Sequence, residues 1–185
     1  MPNADTQRFV FVTVGTDHHP FDRLIRWIDE WLASRDGTVR CFVQSGTSPA
    51  PQRAESAEYL TYDEMEARMR SADAVVSHGG PASIILARHS GKKPIVVPRR
   101  KELGEHVDDH QAVFSRRIAT EGRIALAESQ DEFRALLDQA TAEQLAVEAD
   151  DSATSVEEAV SRFEHLVDAL LRSHHKPALM GGSAQ

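Results

Sequence analysis

Along the chain, short β-branched and aromatic runs alternate with stretches in which apolar residues return every three or four positions. The run RFVFVTV at 8–14 carries no polar alternation and is stopped by Gly15, which predicts a strand buried on both faces. Phe21, Leu24, Ile25, Ile28, Trp31 and Leu32 then recur at helical spacing behind Pro20, so a helix is expected over 20–33. Further strands are expected at 38–44, 58–61 and 72–77, and in the segments KPIVVP (93–98) and GRIALA (122–127). Helices are expected at 62–70, 81–89 and 107–120, with two more starting near Asp131 and Ser155.

Strands alternating with helices imply right-handed crossovers and a parallel sheet covered on both faces. The expected fold is therefore α/β, a single Rossmann-like doubly wound sheet of about six strands. Residues 1–150 would form the ligand-binding domain. Residues 151–173 would add an amphipathic helix with the apolar stripe Val156, Val160, Phe163, Leu166, Val167, Leu170 and Leu171, and 174–185 a flexible tail.

Composition narrows the function. With 185 residues and 41% hydrophobic content the chain can bury one substantial core. A net charge of -8 and the lack of a dense Lys/Arg run argue against a phosphate-neutralising nucleic-acid grip. The single cysteine, Cys41, excludes a disulfide framework and fits a reducing, cytoplasmic setting. No apolar run approaches the roughly 20 residues that span a bilayer, and MPNADTQR lacks the layout of a signal peptide. Membrane association is accordingly expected only through a partner, at the inner face of the membrane, or through an amphipathic surface.

In a doubly wound sheet the first and fourth strands are neighbours, and ligands bind beyond their carboxyl ends. The loops placed there are VGTDHHP and SHGGPAS. Gly79 and Gly80 allow close backbone approach, and the helix opening at Pro81 aims unpaired N–H groups and a positive dipole end at the crevice, a geometry suited to phosphate. Ser77, His78 and Ser83 add polar groups on this side, and Gly15 and Thr16 face them. His18 and His19 offer imidazoles, groups suited to proton transfer or phosphate contact, His18 being the candidate general base. After the fifth strand come Arg99, Arg100 and Lys101, then His106, Asp108, Asp109, His110 and Gln111. The Asp and Gln side chains can make the paired hydrogen bonds that hexose hydroxyls require. His106 and His110 lie four apart, but no third ligand with metal-site spacing accompanies them, and no metal is expected. An NAD-dependent oxidoreductase fits less well. VGTDHHP replaces G-x-G-x-x-G, and the second strand ends in Gln44 and Ser45 where an acidic ribose ligand would stand.

Together FVFVTVGTDHHPFDRLIRWIDEW, QSGTS, ADAVVSHGGPASIILARHSGKKPIVVPR and EHVDDHQ resemble the C-terminal, donor-binding domain of glycosyltransferase family 28. The chain is most similar to the small donor-binding subunits of two-chain UDP-sugar transferases, those of the dolichol-linked N-acetylglucosaminyltransferase and of bacterial exopolysaccharide synthesis. The resemblance implies one half of a GT-B glycosyltransferase acting in polysaccharide biosynthesis. It also implies inverting, metal-independent and cofactor-free transfer of a hexose from a UDP-sugar to a lipid-linked or glycan acceptor, with a membrane-associated partner subunit binding the acceptor in a heteromer. By position, Gly15, Thr16, Gly79, Gly80 and Ser83 would meet the donor diphosphate and Asp108, Asp109 and Gln111 would lie near the sugar, with Ser77, His78, Arg99 and His106 as further substrate-binding candidates. Relatives place an acidic ribose ligand where this chain has Leu86, so the alternative is a non-catalytic scaffolding or regulatory module with a degenerate donor site.

Overall fold

The computed structural model describes residues 7–142 apart from residue 36. The expected helix over 151–173 and the tail lie outside the described residues. The elements run β1 (Arg8–Thr13), α1 (Asp22–Leu32), β2 (Val39–Gln44), β3 (Glu55–Ala57), α2 (Tyr62–Ser71), β4 (Ala74–Ser77), α3 (Pro81–His89), β5 (Ile95–Val96), α4 (His110–Thr120), β6 (Ala125–Leu126) and α5 (Gln130–Ala142). A 3-10 turn, Lys101–Leu103, precedes α4. All strands are parallel in the order β3-β2-β1-β4-β5-β6, the doubly wound sheet read from the sequence.

The apolar runs work as a two-sided core because successive strand side chains point to opposite faces. In β1, Val10 and Val12 enter one cluster with Leu24, Ile28 and Trp31 of α1 and Phe133 and Leu137 of α5. Phe9 and Phe11 enter the other, with Met69 of α2 and Leu86 and Ala87 of α3. The same alternation sends Ile95 to the first face, and Val96 to a third cluster with Ile84 and Ile124. Burying each large side chain of α1 contributes about 2 kcal/mol. Cys41 is buried in the first cluster, and burial pushes its thiol pKa well up.

The structure corrects two boundaries. The third strand forms at Glu55–Ala57, not 58–61, pairing with Phe42, Val43 and Gln44 at the sheet edge. Residues after it leave the sheet because Thr61 caps α2. Its hydroxyl accepts from the Glu64 N–H, and Glu64 accepts from the Thr61 N–H in a reciprocal capping box. Helix α4 begins at His110 rather than 107, because the preceding residues turn on themselves. The Asp108 N–H donates to His106 Nδ1, and the His110 N–H to Asp108 Oδ1.

Candidate functional site

The pairing of β1 with β4, Thr13 opposite Ser77, sets their outgoing loops side by side. Between them and the β2 end lies a cleft of about 280 Å³. Its lining comes from Thr13, Gly15 and Thr16 after β1, Gln44 at the end of β2, His78 and Gly80 after β4, and Pro81, Ala82 and Ser83 opening α3. Tyr59, Leu60 and Met65 close the outer side.

Close backbone approach explains the glycines. A Cβ on Gly15 would sit 2.5 Å from the His78 ring, and one on Gly80 would sit 2.2 Å from His78 Nε2. Gly15 and Gly79 also hold positive φ of 82° and 91°. The His78 imidazole is thus sandwiched between two loops, and its Nδ1 has no hydrogen-bond partner. Burial, reinforced by the Arg99 guanidinium, drops its pKa to about 4, so the ring is neutral at pH 7. Gly80 is the N-cap of α3 and Pro81 fills its first turn, with no side chain capping the helix. Ala82 and Ser83 line the cleft from the first turn of α3, where backbone amides have no intrahelical partner.

A polar clamp that was not singled out from the sequence orients the β1 loop. The Thr13 hydroxyl donates to Gln44 Oε1 at 2.6 Å and accepts from the Gly15 N–H at 3.2 Å. Gln44 Nε2 in turn donates to the carbonyls of Gly15 and Glu58. The signal was present in register: polar side chains directly opposite each other at the ends of two apolar strands.

Gly15, Thr16, His78, Gly80 and Ser83 meet at the cleft as expected. Ser77 lies beneath it, fully buried with an unpartnered Oγ, and Gly79 lies against Ser115. Arg99, expected at the ligand, is fully buried and donates to the carbonyls of Val14, His19 and Glu105 while stacking on Phe21. Its role is to tie the β1 loop to the β5 loop. Leu86 packs among Phe9, Phe11, Phe42 and Met69 instead of facing the cleft. A glutamate there would be buried in the core.

The remaining expected residues form a second group beside the β1 loop. Asp108 receives the His110 N–H and lies 2.8 Å from His110 Nδ1; burial opposes its ionisation, but His110, with help from His106, holds its pKa below the usual range. Asp109 accepts from the Lys101 N–H, and Gln111 keeps an unpartnered Oε1 at the start of α4. His18 has an 81% exposed side chain; the imidazole fixed by Asp17 is His19, at 2.7 Å. Burial would raise the Asp17 pKa, but the His19 amide and ring, Arg99 and His106 outweigh it and lower it. Asp17, His18 and His19 place ligand-type atoms within 4.8 Å of one another. No helix among the described residues is long and apolar enough to cross a membrane.

The parallel sheet with a glycine-built cleft at its switch point defines a Rossmann-like α/β domain of the kind that makes one half of a GT-B glycosyltransferase. Residues 9–170 match the glycosyltransferase family 28 C-terminal domain, and the chain belongs to that family. Among solved structures it is similar to the glycotransferase of kitacinnamycin, with TM-score 0.59, 16% identity, and coverage of 93% of this chain and 44% of that one. It is also similar to MurG of Acinetobacter baumannii, with TM-score 0.55, 17% identity, and coverage of 92% and 51%. For the NMR structure of ALG13 the TM-score is 0.53 and the identity 17%, with 89% of this chain and 97% of that one covered. The chain therefore spans about half the length of the first two. At these identities the likeness establishes the fold. No curated protein matches the chain.

Proposed function

We propose that the cleft binds the nucleoside diphosphate of a UDP-sugar, making this domain the donor-binding part of an inverting hexosyltransferase. The observation that carries the reading is the convergence of Gly15 and Thr16 with Ala82 and Ser83, residues of the first turn of α3, on one cleft. As the bond from the sugar carbon to the diphosphate breaks, negative charge grows on the leaving oxygens. Amides and hydroxyls already fixed there, with the positive end of the α3 dipole, stabilise that charge without rearranging. The neutral His78 ring adds a hydrogen-bonding group without a charge. Asp108, Asp109 and Gln111 would meet the sugar hydroxyls from the neighbouring loop.

In this reading the acceptor, lipid-linked or glycan, is held by a partner subunit associated with the membrane. That subunit also supplies the proton acceptor, since His18 is exposed and lacks a close orienting bond. Support comes from coverage, about half of two of the similar structures and nearly all of a third. The test is calorimetric titration of the purified chain with UDP, UDP-glucose, UDP-N-acetylglucosamine and NAD, repeated with Gly80→Asp. Saturable UDP binding that the variant abolishes supports the donor site. Failure of every nucleotide to bind, with and without an acceptor-binding partner, would favour a scaffolding module instead.

A further inference from the structure

Beside the cleft, the first turn of the β1–α1 loop gathers more imidazole than hydrogen bonding accounts for. Asp17 Oδ1 lies 2.7 Å from His19 Nδ1, a full hydrogen bond, and 3.6 Å from His18 Nδ1, which is beyond one. Two ring nitrogens on adjacent residues thus converge on a single carboxylate oxygen, with the rings 3.9 Å apart. The second oxygen, Oδ2, lies 3.3 Å from His106 Nε2. On its other side His106 Nδ1 accepts the Asp108 N–H, which leaves Nε2 as the ring atom facing Asp17.

We propose that Asp17, His18 and His19 form a binding site for one transition-metal ion of the zinc class, with His106 holding the carboxylate from behind. In a tetrahedral zinc site with bonds of about 2.0 Å the ligand atoms stand about 3.3 Å apart. The separations of 2.7 and 3.6 Å from Asp17 Oδ1 bracket that value, and all three ligand-type atoms lie within 4.8 Å of one another. Two neutral imidazoles and one carboxylate suit zinc, cobalt or nickel and not magnesium, which demands oxygen donors. The fourth position is open to water, since the His18 side chain is exposed and the others are about a fifth exposed. The His106 ring, 3.3 Å from Oδ2, stands where an outer partner steadies a ligating carboxylate. Opposing the ion is the buried Arg99 guanidinium, which bonds the His19 carbonyl and lowers the affinity below that of an unopposed site.

The ligands are not part of the cleft lining, and the ion would brace the loop that carries Gly15 and Thr16. This proposal does not depend on the donor-site reading. The experiment is titration of the chelator-stripped chain with zinc by calorimetry and with cobalt by visible absorption. The background variant His174→Ala/His175→Ala removes the other adjacent histidine pair of the sequence. One ion per chain is expected, with the intense visible bands of tetrahedral cobalt. Asp17→Asn, His19→Ala and the exposed His18→Ala should each weaken binding by about tenfold or more. Circular dichroism checks the fold, and His18→Ala remains informative if the other two variants unfold. Absence of one-to-one binding, or binding that His18→Ala and His19→Ala leave unchanged, overturns the site.

Discussion

Arg99 reaches across 85 positions of sequence to donate a 2.8 Å hydrogen bond to the carbonyl of Val14, at the point where β1 becomes the loop of the cleft. The same guanidinium holds the carbonyls of His19 and Glu105. Replacing it with methionine would leave these acceptors unpaired in a buried place. The expected cost is about 3 kcal/mol, measured as a lower midpoint in urea unfolding, and Arg99→Lys should recover only part of it because lysine lacks the planar fork. UDP affinity should fall with both.

The contact between Gly80 and His78 predicts an unusual rescue. Gly80→Ala drives a Cβ into the His78 ring from an ordinary negative φ, so His78→Ala in the same chain should restore much of the lost stability. Gly15→Ala meets the same ring but also forces alanine into a positive φ, a strain that removing the ring does not relieve. Thermal unfolding of the two double variants should separate them, with recovery for Gly80 and only partial recovery for Gly15.

Stability should depend on pH through His78. Unfolded, the imidazole titrates near 6.5, and folded near 4, so between these values the unfolded chain binds the extra proton. Stability is present in full above pH 6.5, is lost as pH falls toward 4 by about 3 kcal/mol in all, and then levels for this group. The depressed carboxyls of Asp17 and Asp108 act in a separate window: their contribution is lost only as pH falls below 3.8. Denaturant unfolding at a series of pH values checks this, since His78→Gln should remove the slope between 6.5 and 4 while leaving the more acid loss.

Burial of Cys41 predicts a thiol that does not react with an aromatic disulfide reagent in the native protein. Reaction should begin only when denaturant unfolds the sheet, and its rate should track global opening. Fast reaction under native conditions would show that the face formed with α1 and α5 opens locally.

The order and type of the elements were legible in the sequence because the signals are local. Val10, Phe11 and Val12 can satisfy both faces of a sheet only as a central strand, and the spacing of Leu24, Ile28 and Trp31 matches one helical face. Helix 81–89 was read to the residue, since Pro81 opens it and Gly91 follows its end. Glu55–Ala57 was missed because an edge strand of three residues carries no period, only backbone pairing with β2.

The site divides along the same line. The glycines, the helix N-terminus and the facing loops after β1 and β4 follow from motif and topology, so the sequence by itself determined the fold, the family and where the cleft lies. What each polar side chain does there depends on partners far away in sequence. Only the tertiary structure turned Arg99 from a ligand contact into a buried tie, placed Leu86 in the core, and joined Thr13 to Gln44. It also brought His106 to Asp17. A hydrogen bond is decided by distances of a few tenths of an ångström between groups tens of residues apart, and no local pattern encodes those distances.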